Sequence, residues 1–198
     1  MAPQISPFIL FFASIFTSNI LLANFLGMCS FISVSKDITS SNGLGMAVTL
    51  VMTITTALNW IVYNKIIIPF GLEYLRYIVF IIVIAAVVQI LEMLIDRISP
   101  NLYMSLGIFL PLITVNCAIL GVSLFMQLRY YTLIQSVFYG LGSGLGWWLA
   151  IMALAAIRKK VDKSPNIPPA LKGPGITLII IGIMAMAFIG FSGMLNVQ

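Results

Sequence analysis

The segments CSFISVS (residues 29–35) and CAILGVS (residues 117–123) share the pattern C-x-x-x-x-V-S. A Gly-Leu-Gly tripeptide and a further apolar stretch follow each segment. The tripeptide lies at residues 43–45 in the first half of the chain, and at residues 140–142 or 144–146 in the second half. The recurrence of these features in the same order indicates an internal repeat, so the chain consists of two related halves.

The composition around these segments is typical of a membrane protein. Hydrophobic residues make up 61% of the 198 residues and charged residues 8%, whereas a soluble domain carries about 25% charged residues. A helix crosses the apolar core of a bilayer with about 20 apolar residues, and open strands cannot satisfy their backbone groups in lipid. The sequence therefore predicts an all-α integral membrane protein, a single domain over residues 1–198 with six transmembrane helices near residues 8–34, 43–63, 74–95, 101–127, 131–156 and 175–195.

Three predicted spans fall in each half, residues 1–98 and residues 99–198. Because this number is odd, the second half must be inserted upside down relative to the first, which is the 3+3 inverted repeat of many membrane transport proteins. The uncharged stretches around the cysteines are longer than one straight crossing requires. They contain Gly27, Gly107 and Pro111, which favour interruption of a helix. We therefore predict broken helices at both cysteines.

Several amide side chains interrupt the apolar spans, namely Asn19, Asn24, Asn59, Gln89 and Asn116. Such amides form hydrogen bonds between membrane helices or with backbone groups that a helix break leaves unpaired. We therefore expect them to have a structural role.

The distribution of lysine and arginine predicts the orientation, because cytoplasmic loops hold the excess of positive charge. One side of the predicted topology carries Lys36, Arg97, Arg158, Lys159, Lys160, Lys163 and Lys172. The other side carries Lys65, Arg76 and Arg129. The first side is therefore predicted to be cytoplasmic, with both termini on the opposite, periplasmic side. Residues 1–7 carry no Lys or Arg, so we do not expect a cleaved signal peptide.

The residue types exclude several kinds of chemistry. The chain has no histidine, which removes the commonest general base and imidazole metal ligand. The segment GLGSGLGWW (residues 140–148) lies within an apolar stretch and follows no strand, so it indicates close helix packing and not a dinucleotide-binding turn. The net charge of +5 fits cytoplasmic loops, so no nucleic-acid partner is expected.

Cys29 and Cys117 are the candidate functional residues, and the chain has no other cysteine. Thiolates bind the iron atoms of iron–sulfur clusters, and a [2Fe–2S] cluster takes four of them. This chain would therefore supply half of a site, and a partner would supply the rest. Two alternatives remain open: the cysteines are small apolar residues in a packed core, or they form a disulfide with each other.

A second group of polar residues lies on the third predicted span. Gln89, Glu92 and Asp96 are spaced i, i+3 and i+7, which places them on one helical face. An acid within a membrane suggests a path for cations, and Glu92 is the candidate residue. Asp96 lies beside Arg97 near the predicted cytoplasmic end, where interfacial charge is ordinary. In this alternative the chain is a non-redox ion-path or scaffold subunit, and the cysteines only pack.

Four stretches resemble a known family: LGMCSFISVSKD (residues 26–37), VVQILEMLIDRISPNLYMSLGIFLPLITVNCAILGVS (87–123), GSGLGWWLAIMALAAIRKK (142–160) and FSGM (191–194). They are similar to the E subunit of the sodium-translocating NADH:quinone oxidoreductase, and the resemblance covers nearly the whole chain. The A subunit of the Rnf ferredoxin:NAD oxidoreductase complex belongs to the same family and shares the cysteine segments, so it is the alternative.

The resemblance implies a partner and a cofactor. The family's subunits pair with a homologous subunit of opposite topology, here the D type, and each contributes two cysteines to a [2Fe–2S] cluster inside the membrane. Cys29 and Cys117 match those positions. The cluster relays electrons from an NADH-oxidising subunit that holds FAD toward a covalently bound FMN, while the complex exports sodium and reduces quinone.

The resemblance also implies a location and a division of labour. The complex lies in the bacterial inner membrane. FAD, FMN and quinone are expected only in other subunits, because this chain has no motif of its own for NADH, flavin or quinone. We therefore expect the chain to be a component of an enzyme and not a catalyst alone.

Overall fold

The computed structural model of the protein describes residues 6–98, 110–163 and 173–192. Within these ranges every regular element is a helix, which confirms the all-α prediction for the described part of the chain. The first elements are three short helices, α1 (Pro7–Ile15), α2 (Ile20–Asn24) and α3 (Met28–Val34). They are followed by α4 (Ile38–Val62), a π-helical turn (Tyr63–Ile67), α5 (Ile68–Phe70), a 3₁₀ turn (Glu73–Leu75), α6 (Arg76–Ile98), α7 (Leu110–Thr114), α8 (Cys117–Leu128), α9 (Leu133–Val161) and α10 (Pro174–Ser192).

Four helical stretches are long and apolar enough to cross a membrane: Ile38–Phe70, Glu73–Leu94, Pro111–Leu128 and Leu133–Val161. They coincide with the second to fifth predicted spans, except that the start of the fourth span, with Gly107, lies outside the described residues. A shorter apolar helix, α10, occupies the position of the sixth predicted span. The first predicted span contains α1, α2 and α3, each too short to cross a bilayer alone.

Polar side chains fix where two of the long helices begin. The carboxylate of Asp37 accepts hydrogen bonds from the backbone N–H and the hydroxyl of Ser40, both at 3.0 Å, and so caps α4. These bonds to the charged form hold the pKa of Asp37 below its ordinary value. Thr132 and Gln135 form a reciprocal capping box at the start of α9.

The glycines of the GLGSGLG segment pack α9 closely against two neighbours. A Cβ atom at Gly144 would lie 2.7 Å from the Cα of Thr49, and one at Gly140 would lie 2.8 Å from the hydroxyl of Thr56, so these two positions face α4. Gly142 and Gly146 follow these two positions by two residues each. A Cβ atom at either of them would lie within 3.0 Å of a backbone oxygen of α1. The predicted role of this segment in close helix packing is therefore confirmed.

Two tryptophans fix α4 and α9 antiparallel to each other. Near the start of α4, the Asn42 side chain accepts a hydrogen bond from Trp148 of α9 at 3.1 Å. Near the end of α4, Trp60 donates to the carbonyl of Tyr131, just before α9, at 2.8 Å. The start of α9 therefore lies beside the end of α4, and the middle of α9 lies beside the start of α4, so the two helices run antiparallel. Around this pair a core of large buried side chains forms, among them Trp147, Phe31, Leu44 and Met52.

Candidate functional site

A short non-helical step separates α2 from α3 just before Cys29. The C-cap of α2, Phe25, has a left-handed backbone (φ 55°), and Gly27 follows with φ 86°. Helix α3 begins at Met28, so Cys29 is its second residue. Two left-handed residues within three positions cannot belong to one continuous α-helix. The thiol of Cys29 is therefore carried on the first turn of a separate helix.

Cys117 has a comparable position in the second half of the chain. Helix α7 ends at Thr114, and Cys117 is the first residue of α8. The side chain of Asn116 caps α8 by accepting a hydrogen bond from the N–H of Ala118 at 3.0 Å. Each cysteine thus lies in the first turn of a helical element, where unpaired N–H groups favour negative charge.

The two cysteine segments meet in space. The backbone N–H of Gly27 donates a hydrogen bond to the Sγ of Cys117 at 2.9 Å, across 90 residues of chain. The Asn116 side chain donates to the hydroxyl of Ser30 at 3.2 Å, which is a second bond between the segments. Since consecutive Cα atoms are about 3.8 Å apart, the Cα of Cys29 lies within about 7.6 Å of the Cα of Gly27. The structure therefore brings both predicted ligand segments to one place.

Gly27 is where the two segments cross most closely. A Cβ atom at this position would lie 2.8 Å from the Nε1 of Trp147, 3.1 Å from the Cβ of Ala118 and 3.2 Å from the Oδ1 of Asn116. No side chain fits there without displacing its neighbours. The positive φ of Gly27 adds a second reason for glycine.

The thiols of Cys29 and Cys117 are both free and both exposed. They form no disulfide with each other, and neither is packed in the core of this chain. Other exposed residues flank both cysteines in sequence, including Phe25 (52% exposed) and Val115 (76% exposed). Large apolar side chains exposed beside two thiols form a surface that lipid or another protein would cover.

Buried polar side chains around the crossing hold the short helices in place. Asn19 caps α2 through its Oδ1 and donates from its Nδ2 to the carbonyls of Ile15 and Gly146, at 3.1 and 2.9 Å. Asn59 donates to the hydroxyl of Ser123 at 2.8 Å, between α4 and α8. The structural role expected for the asparagines therefore holds for Asn19, Asn59 and Asn116, whereas Asn24 is exposed.

Sequence reasoning missed the role of Arg158. The charge distribution groups it with the cytoplasmic lysines, but its side chain is only 6% exposed. Its guanidinium donates to the carbonyl of Ile32 at 3.0 Å and to the hydroxyl of Ser35 at 2.7 Å, at the C-terminal end of α3. A cation there complements the helix dipole of the element that carries Cys29. The sequence signal is weak, since Arg158 is followed directly by Lys159 and Lys160.

Trp147 is a second residue that the sequence did not single out for the site. It is fully buried, and its ring packs edge-on against Phe31 of α3 with centroids 6.3 Å apart. Its Nε1 has no hydrogen-bond partner among the described residues. Trp147 therefore forms the inner wall behind the crossing of the two cysteine segments.

The residues predicted to form an ion path lie on α6. Among the described residues, no side-chain hydrogen bond connects them to the crossing of the two cysteine segments. Gln89 and Asp96 are exposed, and Glu92 is half-buried. Within the described ranges none of the three side chains forms a hydrogen bond or an ion pair. The same ranges contain no group of three or more His, Cys, Asp or Glu side chains that could hold a metal ion. This chain alone thus offers two thiols and no complete metal site in its described part.

Comparison with known proteins gives a consistent answer. Residues 8–195 match the family described as "Rnf-Nqr subunit, membrane protein". A curated relative from Serratia proteamaculans (strain 568), named as the E subunit of Na(+)-translocating NADH-quinone reductase, is 53% identical over 190 residues, covering 93% of this chain and 96% of the relative. The resemblance inferred from the cysteine segments is therefore confirmed, and the chain belongs to the Rnf-Nqr family of membrane-protein subunits.

Proposed function

We propose that this chain is the E-type membrane subunit of a sodium-translocating NADH:quinone reductase, and that Cys29 and Cys117 supply half of the ligands of a [2Fe–2S] cluster. A homologous D-type subunit of opposite topology would supply the other two cysteines. The relative's name supports the first part, whereas the family description also includes subunits of Rnf complexes. A 53% identity over nearly the whole chain favours the quinone reductase over the Rnf alternative.

The observation that carries the cluster proposal is the hydrogen bond from Gly27 to the Sγ of Cys117. It joins the segment of one cysteine to the thiol of the other, although they are far apart in sequence. Both thiols are free and exposed, as ligands of a group shared with another subunit must be. A [2Fe–2S] cluster takes four cysteine ligands, so the donor set of two thiols fits one half of a shared site.

The residues of this chain would tune such a site as well as hold it. The N–H of Gly27 and the first N–H groups of α8 favour negative charge on the sulfur of Cys117. Hydrogen bonds to ligand sulfurs are one of the means by which proteins set the potential of iron–sulfur groups. When bound, the group would accept and donate single electrons. FAD, FMN and quinone would bind in other subunits.

We further propose the 3+3 inverted repeat for the architecture. In the first half, the helices α1, α2 and α3 precede the long elements α4 and α6; in the second half, α7 and α8 precede α9 and α10. Each half would then place one interrupted helix in the membrane, and the two interruptions would face each other from opposite leaflets. The complex would lie in the bacterial inner membrane, with both termini of this chain on the periplasmic side.

The cluster proposal is tested by replacing each cysteine with alanine in the assembled complex. Cys29→Ala and Cys117→Ala are each expected to remove about two iron atoms per complex and the associated electron paramagnetic resonance signal. NADH-driven quinone reduction should fall to background. Ser33→Ala is the matched control, because Ser33 is an exposed residue one turn after Cys29 on α3.

The opposite result would favour the ion-path alternative. If both cysteine variants retain their iron signal and full quinone reduction, the cysteines do not bind the cluster. If in addition Glu92→Gln abolishes sodium uptake, the chain is an ion-path subunit in which the cysteines only pack. Assembly of each variant is checked by the amount of complex that is purified.

A further inference from the structure

A cavity of about 440 Å³ opens at the end of the helix bundle opposite Arg158. It lies between the end of α4 with its π-helical turn, the start of α6, the end of α8 and the turn before α9. Its wall consists of aromatic, amide and charged side chains, chiefly Trp60, Tyr63, Asn64, Glu73, Arg76 and Gln127. It lies apart from the crossing of the cysteine segments, so what it binds does not depend on the proposed cluster.

Two amide side chains line the cavity, those of Asn64 and Gln127. Gln127 is 9% exposed, and its Oε1, which has no hydrogen-bond partner among the described residues, is itself buried and out of reach of a molecule in the cavity. The Nδ2 of Asn64 donates a hydrogen bond to the carbonyl of Trp60 at 3.0 Å. The side-chain oxygen of Asn64 therefore remains available to accept a hydrogen bond from another donor. A ligand with N–H donors would satisfy the side-chain oxygen of Asn64.

The cavity also presents two opposite charges that are not joined in an ion pair. Glu73 and Arg76 both line it, yet no ion pair joins them in the described structure. The guanidinium of Arg76 instead donates to the hydroxyl of Tyr77 at 3.3 Å and lies 5.1 Å from the centre of its ring. A cavity with a separate anion and cation complements a molecule that carries both charges.

The surroundings place this cavity at the level of lipid head groups. It lies where four membrane-length helical stretches begin or end, and Trp and Tyr residues are enriched at that level of a membrane. Two backbone irregularities form part of its wall: the π-helical turn that includes Tyr63, and Tyr130 with φ 50°. Such irregularities cluster at binding sites. Exposed apolar side chains such as Phe70 (73% exposed) adjoin it, where acyl chains would lie.

We propose that this cavity binds the phosphoethanolamine head group of a membrane phospholipid. Arg76 would contact the phosphate, and Glu73 would contact the ammonium group, which would also donate to Asn64. A phosphatidylglycerol head group has no cation for Glu73. A phosphatidylcholine head group has a cation but no N–H donor for the carboxylate of Glu73 or the side-chain oxygen of Asn64. The chemistry of the wall therefore selects the ethanolamine lipid over both.

The test uses the full-length chain in nanodiscs that contain equal amounts of phosphatidylethanolamine, phosphatidylglycerol and phosphatidylcholine with identical acyl chains. Lipids retained after release are identified by native mass spectrometry. The wild-type chain is expected to retain phosphatidylethanolamine roughly fivefold over either competitor. Glu73→Gln and Arg76→Gln should each remove most of this preference. Both side chains are at least partly exposed, so the variants are expected to fold.

Two control variants separate this site from general charge effects. Lys65→Gln removes an exposed cation near the same end of the bundle, and Asp162→Asn removes an exposed carboxylate at the other end. Both should keep the wild-type preference. Equal retention of the three lipids by the wild-type chain would overturn the proposal. So would an unchanged preference in both Glu73→Gln and Arg76→Gln, or retention of phosphatidylcholine as strong as that of phosphatidylethanolamine.

Discussion

At the scale of single residues, Gly27 combines three properties that no other residue type provides. Its backbone has a positive φ, a Cβ on it would collide with Trp147 and crowd Ala118, and its N–H reaches the thiol of Cys117. An L-residue needs about 1–2 kcal/mol to adopt this backbone conformation. A side chain would also push the two cysteine segments apart.

We therefore expect Gly27→Ala to lower the free energy of unfolding by about 3 kcal/mol, from backbone strain and crowding together. Gly71→Ala is the matched control: Gly71 also has a positive φ of 63°, but no atom lies within 4 Å of the place that a Cβ would take. That variant should cost only about 1 kcal/mol. Chemical unfolding of the purified chain in detergent measures both, and equal losses would show that crowding at Gly27 is unimportant.

Arg158 is the second residue whose role depends on its environment. Its buried guanidinium bonds the last turn of α3, so its loss would leave the carbonyl of Ile32 without this donor. We expect Arg158→Met, which keeps much of the apolar stem, to lower the free energy of unfolding by about 2 kcal/mol. Lys159→Met, at an exposed neighbouring position, should change it by less than about 0.5 kcal/mol. Similar small effects of the two variants would rule out an anchoring role for Arg158.

At the scale of helices, α9 is the element on which the others pack. Glycines on two of its faces let α4 and α1 approach its backbone. Short helices such as α2, α3 and α7 have too few residues to be stable by themselves. Their positions therefore depend on bonds such as the cap that Asn19 forms on α2 and the bond from Asn116 to Ser30 of α3, and on contacts with α9.

Substitution of single glycines tests this packing. A Cβ at Gly144 would lie 2.7 Å from a backbone atom of Thr49, so Gly144→Ala should destabilise the chain by about 1–3 kcal/mol. Gly182 of α10 has no atom within 4 Å of a Cβ position, so Gly182→Ala should stabilise the chain by about 0.5–1 kcal/mol through helix propensity. Thermal unfolding compares the two variants. A stabilising effect of Gly144→Ala would contradict close packing of α9 on α4.

At the scale of the whole molecule, the antiparallel arrangement of α4 and α9 separates the charged residues between two ends. Arg158 contacts Ser35, so Lys36 lies at the same end as the basic last turn of α9. The cavity that contains Arg76 and the turn with Arg129 lie at the other end. Among the described residues, the fold therefore keeps Lys36 and the basic last turn of α9 apart from Arg76 and Arg129.

This arrangement predicts the orientation of the chain in the cell. A reporter that is active only in the cytoplasm should be active when inserted after Lys163 and inactive when fused after Gln198, because the end with the larger positive charge stays inside. A reporter that is active only in the periplasm provides the reciprocal control. Cytoplasmic activity of the Gln198 fusion would contradict the predicted topology.

The amino-acid sequence by itself determined the class of the protein, the approximate positions of its long helices, its family and its two cysteines. These properties follow from local composition and from motifs, which are read within about 20 residues. Only the tertiary structure decided that Gly27 meets Cys117, that Arg158 is buried at the end of α3, and that Glu73, Arg76 and Gln127 surround one cavity. Contacts such as that between Gly27 and Cys117 join segments 90 residues apart, and the packing of whole helices sets them, not the residues nearby in sequence.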